Sequence, residues 1–533
     1  VLSDAKNLLD AQNKTKSYGT HQCRQFRKEI FESHSQYCLS LASNYAHIAD
    51  RKNYIEANLN LLSIDQRLKI ADINFSCDKT ELKTKAQYLA EQNLRISIQI
   101  SDPEKSLAEC SKLPKIYGIS LPEESTVHSM INRLCCCRWW KRKLFGLQRQ
   151  ILESVARDIG MVHHHTSTYS SVHSQRDRAD QIQATQKYLE NSYLINDQLQ
   201  TFSLKELYEK SVSNPLIRRS ELMLRIKGFE MVAERLGDIG EFYTITCPSR
   251  MHARFKKTGR RNPKYDGTNP RQAQQYLNLL WSRIRAKLDR DGIPCYGFRV
   301  AEPNHDGTPH WHMLLFMQPE YKSAYRKIVK KYALEDSPNE KGAKKSRFKA
   351  VAIDKGKGSA AGYIAKYIAK NIDGSHINKD LYGNDAKQAA NAIDTWSSVW
   401  GIRQFQQIGG PSVTVWRELR RIANSDDLTE SCRGSLIGDA AFHAGASDFA
   451  AFVMVMGGPH MRRTDQPIKI LYVQPEYVDK ETGEFIEGGL TRYGDVTSAK
   501  IKGLLLNGVE FITRLTKWQV VAYGELSGSG GSG

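Results

Sequence analysis

Residues 295–319 read CYGFRVAEPNHDGTPHWHMLLFMQP, and the alternation within this stretch decides the fold. Two strand-like runs, CYGFRVAEP and PHWHMLLFMQP, flank NHDGT, whose Asp306-Gly307 pair suits a tight connection between antiparallel strands. Side chains alternate along a strand, so His310 and His312 project from one face and Trp311 from the other. Two neutral imidazoles on one rigid face make a ready divalent-metal site. Such a pair is also a common surface accident, so its surroundings carry the argument. Glu302 ends the preceding strand, where the hairpin could fold its carboxylate back beside both histidines. Two nitrogens and a carboxylate leave positions open for substrate oxygens, as metal-assisted phosphate chemistry requires. His305 is the competing third ligand, ranked lower because it lies in the turn.

Outward from the hairpin, GEFYTITCPS (240–249) reads as a strand ended by Pro248. PRQAQQYLNLLWSRIRAKLDRDG (270–292) reads as a helix with Leu277, Leu280, Ile284 and Leu288 on one face and Gly292 beyond its end. A basic connector containing KGAKKSRFK leads to KAVAID, another strand. GKGSAAGYIAKYIAKNIDG (356–374) is then a helix opened by Ser359 and closed by Gly374. The order strand, helix, strand, strand, helix, strand, helix predicts an α+β domain over 238–375, its helices covering a mostly antiparallel sheet. A helical extension over 376–425, around DTWSSVWGIRQFQ and VTVWRELRRIAN, follows.

Tyr363 and Tyr367 stand four apart on the last helix of that domain, hence on one face. Tyrosines so placed also pack into cores with their hydroxyls at the surface. Here Lys366 lies between them and Lys370 follows. A phenol, with a pKa near 10, attacks phosphate poorly unless a cation stabilises the phenolate or a metal makes phosphorus more electrophilic. The sequence supplies both aids.

Lys and Arg number 77 against 58 Asp and Glu, a net charge of +19 that draws polyanions, nucleic acid first among them. Arg250, His252, Arg254, Lys256, Lys257, Arg260 and Arg261 follow the first strand, Lys341, Lys344, Lys345, Arg347 and Lys349 precede the fourth, and Lys370 ends the tyrosine helix. Together they fit a DNA path, with Phe255, Tyr265 and Phe348 placed to stack on unpaired bases. The alternative is a set of solvated loops that keep the protein soluble.

The remaining chain reads as a largely helical region over 1–110 of unassigned role, broken at Asp102-Pro103, and a helical, basic region over 111–237. In the latter, RWWKRKLFGLQRQILESVARDI sets Trp140, Leu144, Leu147 and Ile151 at helical spacing; an amphipathic core helix with a basic outer face outranks a phosphate-binding one. A mixed region spans 426–523, and 524–533 end in SGSGGSG, a flexible linker composition. No apolar run approaches the roughly 18–20 residues that cross a bilayer, no secretory leader is read at the start of the sequence, and the ten cysteines, Cys135, Cys136 and Cys137 adjacent and the others scattered, do not resemble a disulfide framework. A reducing cytoplasm fits.

RVAEPNHDGTPHWHMLLF together with GYIAKYIAKNI resembles the HUH endonucleases, and EFYTITCPSRMHARF resembles the first motif of that superfamily. More closely, CPSRMHARF, DGTPHWHMLLF, the paired-tyrosine helix and WGIRQFQQIGGPSVTVWRELRRI are similar to the phage replication gene A protein family of rolling-circle initiators, over about residues 135–425. That resemblance implies a central HUH-type sheet in which His310, His312 and Glu302 hold Mg²⁺ or Mn²⁺. It implies attack by Tyr363 or Tyr367 on single-stranded or extruded origin DNA, leaving a 5′-phosphotyrosine and a free 3′-OH. Lys366 would position the phosphate or protonate the leaving oxygen. A host helicase and replisome in the bacterial cytoplasm would complete the process. KGKGS at 355–359 lacks the full phosphate-loop pattern, so no motor is expected. Cys135, Cys136 and Cys137 with His163, His164 and His165 raise a zinc site, although adjacent ligands cannot all converge on one tetrahedral ion. Alternatives are a transposase or relaxase of the same superfamily, a non-catalytic DNA-binding protein, and an iron or zinc enzyme acting on a small molecule.

Overall fold

The computed structural model describes residues 2–354, 356, 358–375, 379–380, 382–474, 476–478 and 485–522. Lys355 and Lys357 of KGKGS, and the tail 524–533, lie outside the described residues. The chain forms two compact units: one runs to residue 167 and adds 258–261 and 474–499, and the other holds 168–257, 262–473 and 500 onward.

The first unit is helical. Helix Lys79–Gln99 packs against helix Cys137–Asp158, whose Trp139, Trp140 and Leu144 are buried. The segment RWWKRKLFGLQRQILESVARDI is thus a core helix. Asp102-Pro103 marks a helix start inside the unit: the Asp102 carboxylate accepts from Lys105 N at 2.8 Å, and Pro103 at the first helical position gives up no needed donor. The division between the two units falls near residue 167. Helix α1 (Pro215–Leu236) packs its Ile226 and Phe229 into the core of the second unit. The expected helical stretch before 237 also contains strands Ser192–Asn196 and Thr201–Ser203, paired to each other, the former also to Trp518–Ala522.

The second unit is built on five antiparallel strands: β1 (Ile239–Thr246), β2 (Tyr296–Pro303), β3 (Pro309–Met317), β4 (Phe348–Ala352) and β5 (Phe405–Ile408), in spatial order β4-β1-β3-β2-β5. Helix α2 (Pro270–Arg290) and helix α3 (Tyr321–Glu335) cover one face with a core that includes Leu277, Ile284, Trp311 and Met313. Against the other face lie α1, helix α4 (Ala360–Ile372) and helix α6 (Val413–Ala423), around Phe242, Val300, Leu314 and Trp416; helix α5 (Ala386–Trp400) lies between α4 and α6 in sequence and packs its Trp396 on the first face.

The helix expected between the third and fourth strands is α3, and the basic stretch KGAKKSRFK follows it. One departure concerns an element that positions the site: GIRQFQ is not helical. Gly401, at φ 62, closes α5, and Phe405–Ile408 pairs with Gly297–Val300 as the edge strand. Within β2, Gly297 has φ 149, and a Cβ there would sit 2.0 Å from Leu314 O across the ladder, so only glycine allows this register.

Candidate metal and tyrosine site

The hairpin of β2 and β3 sets the site's register. Glu302 stands opposite His310, and Thr244 of β1 stands opposite His312. In the turn, Gly307 at φ 79 donates its N–H to Asn304 O at 2.9 Å, and Trp396 Nε1 holds Gly307 O at 2.7 Å. The period of two separates functions by face. Trp311 is buried on the α2 side, donating to Gln274 Oε1 at 3.0 Å, while both histidines face α4.

His310 Nε2 and His312 Nε2 are 3.0 Å apart, and Glu302 Oε2 lies 4.0 Å from the first and 3.8 Å from the second. Among the described residues these three form the one group of His, Cys, Asp or Glu arranged to hold a metal ion. The cysteines and histidines at 135–137 and 163–165 form no such group, so the zinc site is not built. His305 is buried in the turn and stands outside the group. Burial, with His312 next, pulls His310 well below the usual imidazole range, and burial with Lys370 and Lys366 pulls His312 down to about 3. Both rings are therefore neutral at physiological pH, the form that ligates. Thr244 Oγ1 meets His312 Nδ1 at 3.1 Å, which turns Nε2 toward Glu302. Among the described residues the buried Nδ1 of His310 has no hydrogen-bond partner. Two neutral nitrogens and an inward carboxylate oxygen suit a divalent cation.

Glu302 itself is buried. Lys370 Nζ approaches its Oε2 at 3.2 Å, and Asn371 Nδ2 donates to its Oε1 and, at 2.5 Å, to Tyr367 O. Helix α4 makes this possible by facing three ways. Ser359 caps it, accepting from Gly362 N at 3.0 Å; Ile364, Ile368 and Ile372 enter the core; Tyr363, Tyr367, Lys370 and Asn371 follow one another at helical spacing on the site side. The Tyr367 ring lies against His312, centroids 4.1 Å apart, and stacks on Phe242 at 5.3 Å. Burial, then Glu302, pushes its phenol up to about 12. Tyr363 is half-buried, its ring 6.2 Å from Phe242. Lys366 is exposed, with Nζ 5.0 Å over the Tyr367 ring.

The cations sort less uniformly than their clustering in sequence suggests. Arg254, Lys256 and Lys341 line a cavity of about 500 Å³ that begins at Thr246, beyond the His310 end of β1. Lys257, Lys344 and Lys345 are exposed, and exposed Arg260 and Arg261 belong to the first unit. Three are placed otherwise than a DNA-tracking surface cation. Arg347 is 2% exposed and spends its guanidinium on Asp336 O and Glu340 Oε2, because the chain tucks it under β1. Arg250 is forked between Asp266 and Asp336. Lys370 is buried on Glu302. Asn371 and Thr244 were not singled out by the sequence; the signal for Asn371 was its place four residues after Tyr367.

The sheet and site define an α+β protein in which two histidines and a carboxylate, grouped so that they could hold a metal ion, stand beside a tyrosine-bearing helix. Similarity narrows this class. The profile of the bacteriophage replication gene A protein (GPA) family matches residues 47–375, and the chain belongs to that family. It is 38% identical over 515 residues to the replication gene A protein of Escherichia phage 186, covering 92% of this chain and 70% of that one. It is 34% identical over 414 residues to the replication gene A protein of Escherichia phage P2, covering 74% and 52%. To the probable replication endonuclease from a prophage-like region of Salmonella paratyphi A it is 33% identical over 405 residues, covering 73% and 49%. The chain thus spans about half the length of the last two. No solved structure matches.

Proposed function

We propose that the chain is a site-specific endonuclease and strand transferase that nicks single-stranded or extruded origin DNA, initiating and terminating rolling-circle phage replication. His310, His312 and Glu302 would hold Mg²⁺ or Mn²⁺, which supplies Lewis-acid polarisation of a phosphate oxygen. The phenol oxygen of Tyr363 or Tyr367 attacks the scissile phosphorus in line. The phenol proton passes to solvent, the bond from phosphorus to the 3′ oxygen breaks, and that oxygen leaves as a 3′-OH, taking a proton from the Lys366 ammonium, which solvent then reprotonates. One phosphodiester is exchanged for another, so the reverse attack by a 3′-OH reseals the strand without nucleotide hydrolysis. The second tyrosine allows another cleavage while the first holds DNA.

The observation that carries this reading is the contact of the Tyr367 ring with His312 beside Glu302 and His310. The names of the relatives, replication gene A protein and probable replication endonuclease, support it. The test is cleavage of circular single-stranded phage DNA with Mg²⁺ or Mn²⁺, with EDTA, and with Tyr363→Phe/Tyr367→Phe. Cleavage that needs the metal and vanishes in the double variant is expected. Cleavage by the double variant at the wild-type rate counts against the tyrosine chemistry, and cleavage in EDTA counts against the metal.

A further inference from the structure

The open edge of the sheet, at β5, is bordered by a cleft of about 620 Å³ whose lining includes five arginines. Arg218 and Arg225 come from α1, Arg403 precedes β5, Arg417 comes from α6, and Arg463 follows. Two carboxylates share the cleft, and both are engaged. Glu221 takes Arg417 at 2.7 and 3.1 Å and Arg225 at 3.6 Å, while Asp394 takes Arg178 at 2.8 Å. Among the described residues, Arg218, Arg403 and Arg463 have no carboxylate partner, and the buried Nε atoms of Arg218 and Arg225 have no hydrogen-bond partner. Arg225 is 7% exposed; burial and the nearby Arg417 and Arg403 pull it down to about 10. Such crowding of cations in a partly dry cleft is relieved by an anion, and arginine forks match phosphate oxygens in pairs.

The cleft is also tied to the metal site. Gln404 lines it and donates Nε2 to Asn371 Oδ1 at 3.1 Å, and Asn371 in turn holds Glu302. Arg225 lies over the ring of Phe298, which belongs to the same sheet face as Phe242 and the tyrosine helix. We propose that this cleft binds the phosphodiester backbone of single-stranded DNA beyond the β5 edge, next to the nucleotides held at the metal site. The proposal rests on the reading of the chain as a DNA strand transferase.

The experiment uses the full chain, a fluorescent thirty-residue oligo(dT), and anisotropy over a salt series, for wild type and Arg403→Ala/Arg463→Ala. Both arginines are exposed, so the fold should persist, and matching melting curves check this. The expected result is roughly tenfold weaker binding, with the slope of log affinity against log salt reduced by about 1.4, at about 0.7 per lost phosphate contact. Arg403→Lys/Arg463→Lys should recover the slope. Affinity and slope equal to wild type in the alanine variant overturn the proposal. So does displacement of oligo(dT) from the wild type by equimolar inorganic phosphate, which marks a small-anion site. Covalent nicking by the wild type is scored in parallel: nicking without the slope change sinks only the cleft, and the slope change without nicking sinks only the strand-transferase reading.

Discussion

Lys370 Nζ stands 3.2 Å from Glu302 Oε2, the same oxygen that faces both histidine nitrogens. An ammonium beside a dication site repels the ion by on the order of a few kcal/mol at an effective dielectric near 20. Lys370→Met should therefore bind Mn²⁺ more tightly than wild type, by roughly tenfold, a factor worth about 1.4 kcal/mol. Titration calorimetry measures it. Weaker Mn²⁺ binding would mean that Lys370 acts chiefly by positioning the carboxylate.

Thr244 Oγ1 meets His312 Nδ1 at 3.1 Å. Thr244→Val keeps the shape of the strand residue and removes the hydroxyl. Mn²⁺ affinity should fall by about 10–100-fold, the usual effect of losing such an outer partner, with little change in melting temperature. Unchanged affinity would show that packing alone orients the ring.

Arg347 and its neighbours Lys344 and Lys345 look alike in sequence and differ in the structure. Breaking the part-buried contact of Arg347 with Glu340 by Arg347→Ala should cost about 1–3 kcal/mol of stability. Lys344→Ala/Lys345→Ala should stay within about 0.5 kcal/mol while weakening DNA binding and its salt dependence. Urea unfolding and anisotropy separate the two; a stable Arg347→Ala would remove the structural role.

In the first unit, Arg133 pairs with Asp495 and lies over the Tyr493 ring, fastening the stretch that carries these two residues to that unit. The pair pulls the Asp495 carboxyl below its ordinary value of 3.8, to about 2. A depressed carboxyl stabilises the fold above its unfolded pKa and loses that contribution as pH falls through the folded one. The melting-temperature gap between wild type and Asp495→Asn should thus be full above about pH 5 and close between about pH 4 and 2. A gap that persists at pH 2 would rule out the charge pair as its source.

The hairpin and the tyrosine helix were legible because each has a strict period: two for His310, Trp311 and His312, and near four for Tyr363 and Tyr367. Glu302 was legible because a tight Asp-Gly turn fixes which residues face each other. Charge carried no such period. Arg347, Arg250 and Lys370 read as surface cations, and only the folded chain sets Glu340, Asp266, Asp336 and Glu302 beside them. The edge strand β5 was hidden because Phe405–Ile408 is short and polar and gains its strand character from pairing with β2.

The central claim is covalent: a tyrosine of α4 takes the 5′ phosphate of the cut strand. The most direct measurement is peptide mapping, by mass spectrometry, of the adduct formed between the full chain and single-stranded phage DNA in Mn²⁺. The expected result is a nucleotide phosphate on Tyr363 or Tyr367, moving wholly to the other residue when one is changed to Phe. Cleaved strands with no adduct on either tyrosine, or an adduct on a residue outside α4, would contradict it.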